Sequence, residues 1–165
     1  FKTKHRVRLL LAVGGWERSD HFAAMAASEQ GRQRFVGDVL QTALAKRLDG
    51  IDLDWEHPRN AEEEVLYGQL LADLRSAFRP HGLHLTVTIS PWQRLPPEAI
   101  EAVDAVQVMS YDHEGEHATV EDAKTDVKTL VEGGIPRAKI VLGMPFYGRD
   151  VETREAMAYR DLVAS

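Results

Sequence analysis

The feature that most constrains this chain is the run DGIDLDWEHP at residues 49–58. In an extended strand successive side chains point to opposite faces, so Asp52, Asp54 and Glu56 would form one column. The residues that alternate with them would face the other side: Ile51, Leu53 and Trp55. Carboxyl groups on a buried strand are costly to desolvate unless they share protons and hydrogen bonds. Perturbed carboxyls cluster at functional sites, so this run predicts a site of acid-base chemistry.

Short apolar runs alternate with longer amphipathic stretches, which is typical of strand-helix units around a parallel sheet. The predicted strands are residues 7–13, 50–55, 83–89, 105–110 and 140–144. Helices are predicted from the cap Ser28 to about residue 47, from Asn60 to about residue 79, and from Thr119, with Asp122 as a capping-box partner, to the glycines at 133 and 134. The second helix is predicted to bury Val65, Tyr67, Leu70, Leu71, Leu74 and Phe78. Without a linker or repeat, one domain over residues 1–165 is expected.

Two further predicted strands repeat the division into a polar and an apolar face. The third has an apolar face of Leu85, Val87 and Ile89 and a polar face of Thr86, Thr88 and Ser90. The fourth places Gln107, Met109 and Tyr111 on one face. Helices are expected to cover the apolar faces, and the polar faces would line an interior.

Composition excludes several classes of protein. The net charge of -6 and the short basic segment at residues 2–8 argue against a nucleic-acid partner. Apolar stretches are too short to cross a bilayer, so no membrane association is expected. Without cysteine, neither a disulfide nor a thiolate metal site is possible. The chain opens on Phe1, and no signal peptide is readable in it.

Four motifs, in order and spacing, resemble those of chitinases of glycoside hydrolase family 18. They are AVGGW at 12–16, DGIDLDWEHP at 49–58, QVMSYD at 107–112 and GMPFYGR at 143–149. They match the third, fourth, sixth and seventh strands of that family's (β/α)8 TIM barrel, which implies an α/β fold of about 250 residues or more. Strands 3 to 7 of the eight would lie in this chain, with helices outside. Such an arc would leave two sheet edges unpaired, so the chain is interpreted as an incomplete catalytic barrel.

The resemblance implies a mechanism in which Glu56 is the general acid and then the base. Its carboxyl must hold a proton near neutral pH, which burial and the charges of Asp54 and Asp52 would favour. By the resemblance, the nucleophile is the carbonyl oxygen of the substrate's own 2-acetamido group, so the anomeric configuration is retained. Asp54 would orient the acetamido N–H, Asp52 would share a proton with Asp54, and Tyr111 would hydrogen-bond the acetamido carbonyl.

Further substrate contacts follow from the same resemblance. Trp16 matches an aromatic platform for a sugar past the cleavage point. Lining or substrate-contacting positions are matched by Gln107, Met109, Asp112, Tyr147 and Arg149. Ala12 stands where many members have a serine near the inner aspartate, so Asp52 is expected to lack that partner. His57 is interpreted as packing at the strand end.

Residues 113–117, HEGEH, satisfy the H-E-x-x-H zinc-protease pattern. That motif requires a helix, which stacks both imidazoles on one face. Gly115 interrupts it and the next helix cap is Thr119, so these residues are predicted to form a loop without a metal.

The function expected from the resemblance is endo-type hydrolysis of β-1,4-N-acetylglucosamine linkages in chitin, without metal or cofactor. An open cleft is expected because the tail at 150–165 runs on without the α+β domain that deepens the cleft in some members. Localisation outside the cell is inherited from the family, and a monomer is expected. The alternatives are a non-catalytic chitin-binding lectin, an endo-β-N-acetylglucosaminidase acting on N-glycans, and a chain that by itself neither folds stably nor turns over substrate.

Overall fold

The computed structural model describes residues 2–164, apart from the side chain of residue 3. Its main sheet has five parallel strands in the order β1-β2-β3-β4-β5. Their bounds are β1 Leu10–Gly14, β2 Gly50–Asp54, β3 His84–Ile89, β4 Ala105–Val108 and β5 Ile140–Leu142. The predicted parallel α/β architecture is confirmed. The strands are shorter than predicted: β1 and β3 begin later, and β2, β4 and β5 end earlier.

Helices occupy the connections between the strands. They are α1 Lys2–His5, α2 Phe22–Ala26, α3 Glu29–Ala45, α4 Ala61–Phe78, α5 Pro97–Ala102, α6 Val120–Glu132 and α7 Tyr159–Leu162, with 3-10 turns at Arg79–His81 and Arg137–Lys139. The three predicted caps are confirmed. The side chains of Ser28, Asn60 and Thr119 each accept a hydrogen bond from the backbone N–H three residues later, at 2.8, 2.9 and 3.0 Å.

The core lies between the sheet and helices α2 to α6. The apolar face of β2 is buried, with Ile51 and Leu53 fully covered and Trp55 exposed by only 2%. The Trp55 ring meets Tyr67 of α4 and Phe22 of α2 edge to face, at centroid distances of 5.3 and 5.9 Å. Five of the six residues predicted for the buried stripe of α4 are fully buried: Tyr67, Leu70, Leu71, Leu74 and Phe78.

The prediction for Val65 is wrong, since this side chain is 50% exposed. Residues in a helix are about 100° apart around the axis, so a residue two positions before Tyr67 points away from it. The stripe therefore begins at Tyr67. The Tyr67 hydroxyl donates to the Leu53 carbonyl at 3.2 Å, and this hydrogen bond connects α4 to β2.

The carboxyl-terminal segment forms a separate antiparallel ribbon. β6 Tyr147–Arg149 pairs with β7 Ala156–Ala158, and α7 follows directly. The sequence analysis predicted neither strand of this ribbon. Within residues 2–164, no helix combines the length and apolarity needed to cross a membrane.

We predict that Leu71→Ala and Val65→Ala, two truncations in α4, have very different effects on stability. Leu71 is fully buried, and its truncation should lower the free energy of unfolding by about 2–5 kcal/mol because it leaves a cavity. Val65→Ala should cost less than about 0.5 kcal/mol, as is usual for surface positions. Urea unfolding measures both values. Equal losses would contradict the assigned packing face of α4.

Candidate active site

Asp52, Asp54 and Glu56 lie at the carboxyl end of β2, with the apolar side chains between them buried on the opposite face. Asp52 is 5% exposed, and the side chain of Glu56 is 11% exposed. The predicted two-faced arrangement is therefore present, although β2 ends at Asp54 and Glu56 stands just beyond it. The charges of Asp52 and Glu56 both act on Asp54, which places the three groups close together.

Asp52 is held by donors from the two neighbouring strands β3 and β4. Its carboxylate accepts hydrogen bonds from the Thr86 hydroxyl, from Thr88 Oγ1 at 2.6 Å and from Gln107 Nε2 at 2.7 Å. The sheet register brings these donors together, because Asp52 pairs with Thr86 and Thr88 pairs with Gln107. Donors from β3 and β4 thus supply Asp52 with partners even though Ala12 offers no hydroxyl. Gln107, predicted to line the site or contact substrate, is engaged with Asp52.

Asp54 occupies the centre of the column in a different environment. Its Oδ1 atom is buried and has no hydrogen-bond partner among the described residues. Burial, reinforced by the negative charges of Glu56 and Asp52, raises the pKa of Asp54 to about 7. The Asp54 carboxyl is therefore partly protonated at neutral pH, and it has an unused oxygen that can bind a donor.

The backbone around the column is fixed by the loop after β1. The Gly15 N–H donates to the Asp54 carbonyl at 2.8 Å. A Cβ atom at Gly14 would lie 2.0 Å from that carbonyl oxygen, and its φ of +109° also favours glycine. The two glycines of AVGGW are thus explained by the close approach of this loop to β2.

Ser19, in the same loop, fixes the backbone of Glu56. It is 2% exposed. Its Oγ atom accepts from the Glu56 N–H at 3.0 Å and lies 3.1 Å from the Glu56 carbonyl, to which it can donate. Sequence reasoning missed Ser19, because nothing in a loop sequence indicates which backbone group a serine will contact.

Tyr111 follows β4 and lies within the electrostatic influence of the acids. Burial raises its pKa, and the charges of Asp54, Glu56 and Asp112 raise it further. Its hydroxyl therefore stays protonated and available as a donor near neutral pH. The ring packs edge to face against Tyr147, with centroids 6.2 Å apart.

Asp112, Tyr147 and Arg149 form one hydrogen-bonded cluster. Asp112 accepts from two nitrogen atoms of the Arg149 guanidinium and, at 2.8 Å, from the Tyr147 hydroxyl. The hydrogen bond from Arg149 lowers the pKa of Asp112, while burial and the Asp112 carboxylate raise the pKa of Tyr147 to about 12. The three predicted contact residues are therefore brought together, and Asp112 is neutralised locally by Arg149.

A cavity of about 1040 Å³ opens beside Glu56, and four of the predicted site residues do not line it: Asp52, Asp54, Gln107 and Tyr147. Six of the predicted site residues line it: Trp16, Glu56, Met109, Tyr111, Asp112 and Arg149. The Trp16 side chain is 70% exposed, as an aromatic surface for a ligand must be. The cavity is also lined by residues that the sequence analysis did not assign to it: His57, Ser90, Pro91, Trp92, His113, Glu114, Asp126 and Thr129.

A second polar cluster supports the loop that carries Tyr111. Asp126 of α6 is 6% exposed, accepts from the Ser110 hydroxyl at 2.6 Å and lies 3.0 Å from His113 Nε2. Sequence reasoning missed it because a single aspartate inside an amphipathic helix carries no signal of a partner elsewhere in the chain. The cluster connects α6 to both neighbours of the Tyr111-Asp112 pair.

Residues 113–117 form an irregular loop between β4 and α6, as predicted. Its two histidines diverge: His113 contacts Asp126, and His117 lies 3.5 Å from Asp112. Among residues 2–164, no group of three or more His, Cys, Asp or Glu side chains is arranged to hold a metal ion.

Parallel strands with outer helices, and a polar cavity at the carboxyl ends of the strands, are the architecture of a TIM-barrel enzyme. The sequence model of the glycosyl hydrolases family 18 matches residues 1–162, so the chain belongs to that family. It is 34% identical to Nod factor hydrolase protein 1 of Medicago truncatula, over 90% of this chain and 47% of that protein. It is 32% identical to an endochitinase of Manduca sexta, over 87% of this chain and 32% of that protein.

The fold of the chain is also similar to that of a solved chitinase structure. Ostrinia furnacalis Group IV chitinase in complex with allosamidin matches with a TM-score of 0.82 and 31% identity, over 90% of this chain and 49% of that one. The chain thus spans about a third to a half of the length of these relatives. The recognition of the family and of a partial TIM barrel is confirmed.

We predict that Asp54→Asn stabilises the protein increasingly as the pH rises. The folded-state pKa of Asp54 is raised from 3.8 to about 7, so its contribution to stability is present below pH 4 and is lost as the pH rises through 7. Asparagine has a similar shape and no charge. The difference in melting temperature between Asp54→Asn and the unaltered protein should therefore grow between pH 4 and 8. A difference independent of pH would contradict the raised pKa.

Proposed function

We propose that the protein containing this chain is a chitinase that cleaves β-1,4-N-acetylglucosamine linkages with retention of configuration, through the substrate's own acetamido group. The observation that carries the proposal is the Asp54 carboxyl, buried between Asp52 and Glu56, with one unpartnered oxygen and a pKa raised to about 7. Such a group can bind an amide N–H of a substrate that reaches it from the neighbouring cavity, which Glu56 lines.

The carboxylates available in the cavity favour this route over a conventional pair of carboxylates. Ordinary glycosidases place a second carboxylate across the sugar from the acid, as nucleophile or base. Asp112 is paired with Arg149, and Asp126 is hydrogen-bonded to Ser110 and lies beside His113. Neither is free to attack a sugar ring, and the remaining carboxylate that lines the cavity with Glu56, that of Glu114, lies on an exposed loop. A nucleophile carried by the substrate removes the need for a second free carboxylate.

In the proposed reaction Glu56 donates its proton to the glycosidic oxygen, and the bond to the leaving sugar breaks. The acetamido carbonyl oxygen attacks the anomeric carbon from the opposite face. Asp54 accepts the hydrogen bond of the acetamido N–H and holds the group in place, while Tyr111 donates to its carbonyl oxygen. A water molecule then attacks the anomeric carbon and breaks its bond to the acetamido oxygen, while Glu56 takes a proton from that water. This restores the acid form of Glu56 and gives the product its original configuration.

Asp52 and Gln107 support this chemistry from below. Asp52 accepts hydrogen bonds from three side chains and keeps a negative charge near Asp54. That charge opposes the ionisation of Asp54 and disperses the positive charge that develops on the acetamido group during attack.

The placement of Glu56 favours an enzyme over a chitin-binding lectin. Its side chain lines the cavity beside Tyr111, and Ser19 fixes its backbone. An endo mode of cleavage fits a cavity with tryptophan side chains exposed along it, because a long chain can lie across such a surface. The reaction uses no metal or cofactor. A polymeric substrate is accessible outside the cell, so we propose a secreted, monomeric enzyme.

We expect Glu56→Gln to abolish turnover while oligosaccharide binding is kept. The amide retains the shape and polarity of the side chain but cannot transfer a proton, so kcat for an N-acetylglucosamine tetramer in the full-length protein should fall by about 10²–10⁴-fold. Glu114→Gln is the matched control, since Glu114 lines the same cavity from an exposed loop. Full activity of Glu56→Gln would end the proposal.

A substrate without the acetamido group should not be cleaved. A fully deacetylated β-1,4-glucosamine hexamer presents an ammonium where the proposed nucleophile would be, so product release measured by chromatography should be undetectable next to the acetylated hexamer. Cleavage of both hexamers at similar rates would show that the nucleophile comes from the protein or from water.

A further inference from the structure

Trp92 is an aromatic residue that lines the cavity but takes no part in the proposed reaction. It lies in the loop after β3 and is 64% exposed, although it lines the same cavity as Glu56. A tryptophan side chain normally buries a large apolar area, so an indole left open inside a cleft is suited to contact a ligand.

The loop holds Trp92 firmly in this position. Gln93 is 5% exposed, its backbone N–H donates to the Ser90 carbonyl at 3.0 Å, and its Oε1 atom lies 3.3 Å from His57 Nδ1. Leu95, just beyond, is also buried. The residues after Trp92 are therefore anchored while its indole stays open to the cavity.

His57 links Trp92 to Glu56. The His57 and Trp92 rings meet edge to face, with centroids 4.8 Å apart, and His57 Nε2 lies 3.8 Å from Glu56 Oε2. The two ring planes are inclined at 65°, and Trp92 stays 64% exposed, so this contact leaves much of the indole open. Because His57 follows Glu56 directly in the chain, the indole has a fixed position relative to the acid.

The surroundings of the indole indicate the chemistry of the ligand. Glu56, Asp112 and Arg149 line the same cavity, which would disfavour a wholly apolar ligand such as an acyl chain. A pyranose ring offers an apolar C–H face to an indole and directs its hydroxyl groups outward to polar partners. A sugar unit therefore satisfies both the indole and the polar walls.

Two tryptophans follow the strands that flank β2 in the sheet. Trp16 follows β1, Glu56 follows β2 and Trp92 follows β3, and these strands are neighbours in the sheet. An oligosaccharide long enough to reach the ends of both β1 and β3 would thus meet two exposed indoles.

We propose that Trp92 is a sugar-stacking platform next to Glu56 that binds a unit of the oligosaccharide other than the one at Trp16. The inference rests on the proposed function. It adds that affinity depends on chain length, because only an oligosaccharide long enough to reach both indoles gains both contacts.

The test is calorimetric titration of N-acetylglucosamine pentamer and dimer into the full-length protein with Glu56→Gln, which keeps the ligand intact. Adding Trp92→Ala should raise Kd for the pentamer about tenfold, the scale of one aromatic contact. The ratio of dimer to pentamer Kd should shrink, because chain length no longer gains this contact. Trp92→Phe should recover part of the affinity, and Val65→Ala, on the outer face of α4, should leave both Kd values unchanged.

A second readout does not depend on truncation. The indole Nε1–H signal of Trp92, assigned by its loss in Trp92→Phe, should shift in ¹⁵N-resolved NMR spectra when the pentamer is added. Pentamer binding with an unshifted Trp92 signal and an unchanged Kd in Trp92→Ala would overturn the platform and leave the proposed function standing. Failure of the Glu56→Gln protein to bind the pentamer at all would overturn both.

Discussion

The site depends on the way Asp52 is anchored. Three side chains from β3 and β4 donate to one carboxylate, so the negative charge of Asp52 is satisfied inside the sheet. The interaction can form only in one strand register, since a slip by one residue would turn Asp52 towards the helices and Leu53 towards the cavity. The hydrogen bonds of Asp52 and the burial of Leu53 therefore select the same register. Asp54 is then left with charged neighbours on both sides, and its Oδ1 atom has no hydrogen-bond partner within residues 2–164.

Burial of the apolar face of β2 offsets the cost of removing the acidic side chains from water. Burial of Ile51, Leu53 and Trp55 against α2 and α4 fixes the strand from behind. On the other side, the Gly15 N–H and the Ser19 hydroxyl fix the backbone at Asp54 and Glu56. The acids are thus carried on a rigid strand end. The residues around the cavity, by contrast, come from loops, which is where members of one fold differ in the ligands they accept.

Periodicity in the sequence was sufficient to predict the five strands, three capped helices and the two-faced character of β2 and β3. These features depend on local spacing and on burial, which a sequence displays directly. It failed at Val65, where an apolar residue stands on the outer face of α4, and at the ribbon of β6 and β7, whose strands of three residues are too short to show alternation.

Partners in space were harder to predict than elements. Three sets of contacts join residues from different loops or elements, and the sequence does not specify the paths of the loops involved. They are the contacts of Ser19 with Glu56, of Ser110 and His113 with Asp126, and of His57 with Trp92. Family motifs indicated Trp16, Tyr111 and Arg149 but gave no reason to select Trp92. Its position in the cavity became evident only from the three-dimensional arrangement.

The most direct test is a ¹³C NMR titration of the Asp54 side-chain carboxyl in the full-length protein. A midpoint near pH 7, which moves to lower pH when Glu56 is replaced by Gln, would support a buried carboxyl that keeps its proton through the combined effects of burial and neighbouring charge. A midpoint near the ordinary aspartate value of about 4, unaffected by Glu56→Gln, would contradict it.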